Sequence, residues 1–171
     1  MSGFVVREAV PGDAPGLVAL AQAVGAEPEG WLIADESWRG VTEERRYLKA
    51  IKRHPHAAVF VAENAGEIVG RLSVARDPHP ASFHVADLGL MVAADHRRRG
   101  IGRALLQRAV EWGVESRVSK LELHVFPYNA PAIALYEQLG FAQEGLRRRH
   151  YRRGAQYVDA ILMALELAQA P

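Results

Sequence analysis

The chain has 171 residues, of which 49% are hydrophobic and 24% are charged, and its formal net charge is +1. This size and composition predict a single globular domain over residues 1–171, large enough to bury a core without a disulfide or a structural metal. The absence of cysteine excludes a disulfide framework, a thiolate metal site and a catalytic cysteine, and the near-zero net charge argues against a nucleic-acid partner.

The first third of the chain predicts few regular elements. They are a strand over residues 3–6, a helix over 13–23, an irregular segment over 25–40 and a helix over 42–53. Asp13 follows a Pro-Gly turn and is of a residue type that caps helix N-termini. The irregular segment contains Trp31 and Trp38, so it could form a lip over a binding site or simply pack its two rings.

The rest of the chain predicts hairpins on either side of a strand, helix, strand and helix. The expected strands cover residues 57–63, 67–75, 84–92, 121–126, 142–151 and 156–165, and the expected helices begin near residues 101 and 129. Apolar residues recur at helical spacing from Ile101 to Trp112 and mark one buried stripe. This order of elements predicts an α/β fold in which a central mixed β-sheet has helices on both faces.

A glycine-rich turn lies between the third of these strands and the next helix. Its sequence is Arg97-Arg98-Arg99-Gly100-Ile101-Gly102. Glycines let backbone amides approach a ligand, and the start of a helix favours anions. The turn lacks the Lys-Ser/Thr pair of nucleotide hydrolases and the third glycine of dinucleotide-binding turns. It therefore predicts a diphosphate cradle backed by arginines, with a solvated glycine turn as the alternative.

Two polar residues share one face of the later helix. Asn129 and Tyr136 are seven residues apart, which places them two turns apart with roughly 10 Å of rise between them. Such a face could lie beside an extended ligand arm. In the structural alternative, Asn129 caps the helix and Tyr136 is a core aromatic residue.

The two motifs together resemble the GNAT acyltransferase superfamily. Arg97-x-x-Gly100-x-Gly102 follows a strand, and Asn129-x-x-Ala132-x-x-Leu135-Tyr136-x-x-x-Gly140-Phe141 follows about 30 residues later. The resemblance covers most of the chain, is most specific over residues 84–141 and is weakest before residue 57. It implies a mixed, splayed sheet, acetyl-CoA (coenzyme A) as cofactor and acetyl transfer to an amine.

The resemblance also implies roles for individual residues. The cofactor-binding residues would be Met91, Val92, Arg97, Arg98, Arg99, Gly100, Ile101, Gly102, Arg103 and Asn129. A backbone amide near Met91 would stabilise the oxyanion, and Tyr136 would donate a proton to the departing thiolate. Asp87 lies on the strand where the family often places a carboxylate base. With no cysteine available and no serine in a nucleophile elbow, we expect direct transfer without a covalent enzyme intermediate.

Several residues could take the proton from the amine. Asp87 ranks first on the family placement, while a histidine, His84 or His124, is better matched to neutral pH. Glu122 and His150 are further candidates. Each has a structural alternative, as an ion-pair partner, a buried polar group or a solvated strand residue.

The expected acceptor is a primary amine of a small molecule, such as an amino acid, a polyamine or an antibiotic-like amine. Alternatives are a ribosomal-protein amino terminus and a non-catalytic acyl-CoA-binding regulator. The acidic residues Glu27, Glu29, Asp35 and Glu36 could attract a cationic amine, and the arginines of 147–153 could be a solvated hairpin face or contact RNA. We expect a cytoplasmic protein with no metal and no membrane contact, and the last strand or the two tryptophans could support a homodimer.

Overall fold

The computed structural model describes residues 3–33 and 38–168. The elements in chain order are β1 (Phe4–Glu8), α1 (Ala14–Gly25), α2 (Val41–Lys52), β2 (Ala57–Asn64), β3 (Glu67–Arg76), β4 (Val85–Val92), α3 (Ile101–Glu115), β5 (Lys120–Val125), α4 (Ala130–Gln138), β6 (Ala142–Arg153) and β7 (Gln156–Glu166). Every helix and strand expected from the sequence is present, and the bounds differ by no more than two residues.

All seven strands form one sheet in the order β1-β2-β3-β4-β5-β7-β6. Neighbouring strands are antiparallel except β4 and β5, which are parallel and pair only from Val85 with Lys120 to Asp87 with Glu122. Beyond this point no further pairing joins the two strands. The expected mixed sheet is confirmed, and β4 has a free edge facing β5 from about Leu88 onward.

Helices cover both faces of the sheet, as the sequence predicts. Strand β2 shows the alternation: Phe60 and Ala62 belong to the core that α3 completes, whereas Val59 and Val61 pack with α1 and α2. The predicted stripe from Ile101 to Trp112 is buried in the larger core. Within the described ranges, no helix is long and apolar enough to cross a membrane.

Asp13 does not cap α1 with its side chain, although it occupies the N-cap position. The carboxylate instead accepts hydrogen bonds from the Val10 N–H and from both terminal nitrogens of Arg7, each at 2.8 Å. Arg7 lies on β1 and also binds Glu63 on β2. The residue expected to start a helix therefore ties the first helix to the edge of the sheet.

The first turn of α3 packs closely against Gly70 of β3. An added Cβ on Gly70 of β3 would lie 2.9 Å from Cγ2 of Ile101 and 3.0 Å from Cδ1 of Leu105. The missing side chain lets the first turn of α3 lie directly on the sheet, next to the free edge of β4.

Candidate active site

A cavity of about 860 Å³ lies where β4 and β5 diverge. One side is formed by the turn before α3 and by α4, and the other by β3, β5, β6 and the segment around Trp31 and Trp38. The predicted site residues that line it are Asp87, Met91, Val92, Arg97, Arg98, Gly100, Ile101, Gly102, Arg103, His124, Asn129 and Tyr136. Arg99 is not among the lining residues.

The turn before α3 presents unpaired backbone donors to this cavity. Arg98 and Gly100 have φ angles of 63° and 85°, and such left-handed positions in a turn orient successive N–H groups toward one concavity. The first intrahelical bond of α3 runs from Ala104 N to Gly100 O at 3.0 Å, so the N–H groups of residues 101–103 have no acceptor within the helix. These donors suit the diphosphate of a nucleotide cofactor.

The side chain of Arg97 is already bonded within the protein. Its terminal nitrogens form two bonds with the Glu27 carboxylate, at 2.7 and 2.5 Å, and its Nε donates to Val92 O at 3.1 Å. The guanidinium also lies 5.0 Å from the centroid of the Trp31 ring. Arg97 therefore anchors the segment after α1 to the end of β4, and the Glu27 charge is already paired.

The hydrogen-bond ladder decides which amides of β4 face the gap. Ala93 N donates to Val69 O at 2.9 Å, and the β3–β4 register continues without a shift. Because hydrogen-bonded and non-hydrogen-bonded pairs alternate, the Met91 N–H points to β3, whereas those of Leu90 and Val92 point to the gap. The free amides next to the expected oxyanion are thus those of Leu90 and Val92.

Helix α4 supplies Asn129 and Tyr136 as the sequence predicts. Asn129 is the N-cap, with Oδ1 accepting from Ala132 N at 3.3 Å, and it also lines the cavity. Tyr136 is 6% exposed, and burial raises the pKa of its phenol well above the ordinary value. The hydroxyl therefore stays protonated over the neutral range and can serve as a proton donor.

Asp87 lies on the opposite side of the cavity, and its pKa is raised. Its side chain is open to the cavity, yet the surrounding walls limit its hydration. This desolvation, together with the Glu122 carboxylate on the neighbouring strand, raises the pKa of Asp87 to about 6 against the opposing effect of Arg147. Asp87 is therefore ionised at neutral pH but binds a proton more readily than an ordinary aspartate.

A bulge in β6 brings Tyr151 onto His124. The β6–β7 register shifts between Arg147 and Tyr151, and His124 Nδ1 lies 2.7 Å from Tyr151 Oη. Desolvation, followed by Arg147 and His150, lowers the pKa of His124, so the imidazole is neutral at pH 7. Bulges commonly re-aim side chains beside active sites.

The remaining candidates lie outside the cavity lining. Glu122 helps to raise the pKa of Asp87, and His150 helps to lower the pKa of His124. His84 is exposed and does not line the cavity. Asp35 and Glu36 lie outside the described residues. Among the arginines of 147–153, Arg153 donates to Leu32 O. Tyr128 donates to Gly30 O at 2.8 Å, so two side chains hold the backbone of Gly30 and Leu32.

Two lining residues, Arg71 and Tyr151, carry no signal in the sequence. Each is a single polar residue in a strand, without a motif around it. Arg71 is placed by the pairing of β3 with β4, and Tyr151 by the bulge in β6. The alternation of side chains along β3 predicts only the face of the sheet on which Arg71 lies.

Comparison with known proteins agrees with this geometry. The model of the Acetyltransferase (GNAT) family matches residues 26–141. The chain belongs to the GNAT acetyltransferase family. An L-amino acid N-acetyltransferase, AaaT, of Escherichia coli K12 is 33% identical over 96% of this chain and 98% of its own length. A [ribosomal protein bS18]-alanine N-acetyltransferase of the same organism is 34% identical over 67% of this chain and 82% of its own length.

Solved structures show the same fold. A GNAT acetyltransferase from Streptococcus pneumoniae superposes with a TM-score of 0.87 and 27% identity, covering 96% of this chain and 99% of that chain. The protein is accordingly a GNAT N-acetyltransferase whose cofactor is acetyl-CoA. The unpaired amides at the start of α3 and on the free edge of β4 fit such a cofactor, because it offers a diphosphate and an amide-bearing arm.

Proposed function

We propose that this chain is one catalytic domain that acetylates the primary amine of a small molecule in the cytoplasm. The observation that carries the proposal is the shared cavity. The cradle and Tyr136 line it from the α3–α4 side, and Asp87 and His124 line it from the other. Donor and acceptor can therefore meet in the gap between β4 and β5.

Acetyl-CoA supplies an acetyl group activated as a thioester. In our proposal the N–H groups of Ile101, Gly102 and Arg103 hold its diphosphate. The N–H groups of Leu90 and Val92 donate to its arm and to the oxygen that gains charge during transfer. Asn129 Oδ1 already accepts from Ala132, which leaves its Nδ2 as the donor available to the cavity.

Proton transfer is divided between the two sides. An alkyl ammonium has a pKa of about 10.4, so the amine must lose a proton before it attacks. Asp87 takes this proton at its carboxylate, directly or through water, and His124 backed by Tyr151 is the second candidate. Tyr136 Oη gives a proton to the departing thiolate; its burial keeps the phenol protonated at neutral pH, although the raised pKa makes it a weaker acid.

The extent of the similarity favours a small acceptor over a ribosomal protein. The L-amino acid enzyme matches 96% of this chain, whereas the ribosomal-protein enzyme matches 67%. The segment from Glu27 to Leu32 is also held beside the cavity, by Arg97 at Glu27 and by Arg153 of β6 at Leu32 O.

The test is acetyl-CoA-dependent thiol release, measured with amino acids, polyamines, aminoglycosides and ribosomal-protein amino-terminal peptides. A chain without cysteine adds no background to this assay. We expect release with small amines, and release with peptides alone would contradict the proposal. Acetyl-CoA raising the melting temperature without any release would instead indicate a binding-only regulator.

Tyr136→Phe tests the proton donor. We expect turnover to fall about 10²- to 10⁴-fold, because a positioned acid contributes this much. Acetyl-CoA should still raise the melting temperature of the variant. Tyr157→Phe, at an exposed tyrosine away from the cavity, is the matched control. Unchanged turnover in Tyr136→Phe would remove the acid role.

A further inference from the structure

Arg71 is a buried arginine on the acceptor side of the cavity. It is 5% exposed and lines the cavity from β3. Its Nη1 donates to Ser73 Oγ at 3.2 Å, and its guanidinium lies 5.0 Å from the centroid of the Trp38 ring. Its Nε has no hydrogen-bond partner among the described residues. A guanidinium stays protonated in proteins, and Arg71 also has a side-chain hydrogen bond with Tyr47, so this group is a buried cation whose unused donor is Nε.

The Glu44 carboxylate and Tyr47 favour the charged form of Arg71 without pairing fully with it. Glu44 is fully buried, and its Oε2 accepts from Arg39 Nη1 at 2.8 Å. Arg39 itself stacks on Trp38 and Tyr47, at 5.0 and 4.4 Å from the ring centroids. Two guanidiniums therefore share one carboxylate, and no ion pair joins Arg71 to any residue that the structure describes. Burial of an incompletely paired charge is costly, which is a reason to expect an anionic ligand there.

The sheet register places this cation beside the reacting groups. Arg71 pairs with Met91 across β3 and β4. This is a hydrogen-bonded pair of the ladder, for which the Cα atoms lie about 5.5 Å apart and the side chains share a face. The amides of Leu90 and Val92 flank Met91 on the gap side. An amine attacking an acetyl group held there would be close to the Arg71 guanidinium.

We propose that Arg71, supported by Ser73, binds a carboxylate of the acceptor, so that the preferred acceptor is a short amino acid with a free carboxylate. An α-amino acid separates its amine and carboxylate by one carbon, which matches a cation beside the site of attack. A polyamine would bring a second cation toward Arg71. An amino-terminal peptide would present a neutral amide there. This inference rests on the proposed function.

The first experiment uses the unaltered protein and three matched acceptors. They are an L-amino acid, its carboxamide and the amine that lacks the carboxyl group, each followed by thiol release at the pH where its amine is equally ionised. A hydrogen-bonded charge pair contributes enough to change kcat/KM about 10- to 100-fold. We expect kcat/KM for the amino acid to exceed the values for the carboxamide and the amine by that factor.

The second experiment uses Arg71→Met, which keeps most of the side-chain volume and removes the charge. We expect kcat/KM for the amino acid to fall about 10- to 100-fold, with little change for the carboxamide and the amine. Arg76→Met is the matched control, because Arg76 lies on the same strand, is partly buried and does not line the cavity. In Arg76→Met, the kcat/KM values of the three acceptors should keep the order found for the unaltered protein.

The outcomes separate this inference from the function on which it rests. If all three acceptors react equally well with the unaltered protein, the carboxylate site is wrong and amine acetylation stands. If none of them and no other amine reacts, the proposed function itself fails. If Arg71→Met does not fold, the comparison of acceptors on the unaltered protein still decides, and Arg71→Lys, which retains the charge, should keep part of the preference.

Discussion

At the scale of single residues, the catalytic role that we propose for Asp87 comes with a cost to stability. Its raised pKa predicts a rate profile in which kcat/KM increases as the pH rises through about 6, because the free enzyme needs the ionised carboxylate. Asp87→Asn should lose most of its turnover together with this limb. Glu122→Gln should only move the limb to lower pH, because it removes the carboxylate that helps to raise the pKa of Asp87. A profile unchanged in both variants would exclude Asp87 as the base.

The same residue predicts a loss of native stability as the pH rises. The pKa of Asp87 is about 6 in the fold against 3.8 in the unfolded chain, so the unfolded chain releases its proton first as the pH rises. Native stability therefore falls between these two values, and the full penalty applies above pH 6. Asp87→Asn should melt at a higher temperature than the unaltered protein at pH 8, and the difference should shrink toward pH 4. A variant that is less stable at pH 8 would mean that the carboxylate is a structural partner.

Only part of the site could be predicted from the sequence. Gly100, Asn129 and Tyr136 belong to local motifs, whose spacing on a turn or a helix already fixes their relative positions. The place of Arg71 beside Met91 depends on cross-strand register, and that of Tyr151 depends on a bulge. Neither the register nor the bulge can be predicted from the spacing of residues along one strand. The ion pair of Arg97 with Glu27 could not be predicted either, because it joins residues 70 positions apart.

At the scale of elements, the contact between β3 and α3 leaves no room for a side chain at Gly70. Gly70→Ala would place a methyl group 2.9 Å from Ile101 Cγ2, 3.0 Å from Leu105 Cδ1 and 3.2 Å from Ala62 Cβ. Overpacking of this kind costs about 1–3 kcal/mol. We expect chemical denaturation to show this loss and acetyl-CoA to bind more weakly, because Ile101 also begins the cradle. Gly145→Ala, at a strand glycine with nothing within 4 Å of the added group, should be nearly neutral.

Periodicity located the elements but not all of their neighbours. Alternation in strands and the spacing of apolar residues in helices are local properties, so each element was predicted to within two residues. Chain order suggests that β6 would lie next to β5, yet β7 lies between them. The short parallel pairing of β4 with β5 is likewise non-local. It forms only because α3 crosses one face of the sheet between the two strands.

At the scale of the whole molecule, the divergence of β4 and β5 opens a passage between the two faces of the sheet, where we propose that cofactor and acceptor meet. Residues of α3 and α4 reach the gap from one face, and Arg71, Asp87 and His124 reach it from the other. A continuous sheet would block this passage. Three paired residues on each strand hold the sheet together at one end while the cavity occupies the other.

This architecture predicts that both substrates must be bound before any chemistry occurs. The chain has no cysteine, and the Oγ of Ser73, which lines the cavity, is engaged by Arg71 Nη1 at 3.2 Å rather than by a base. A covalent acetyl-enzyme therefore has no activated nucleophile of either type. Initial rates measured against both substrates should give intersecting double-reciprocal lines, and acetyl-CoA alone should release no stoichiometric burst of thiol. Parallel lines, with an acetyl group found on the protein by mass spectrometry, would show that transfer proceeds in two steps and that the gap serves one substrate at a time.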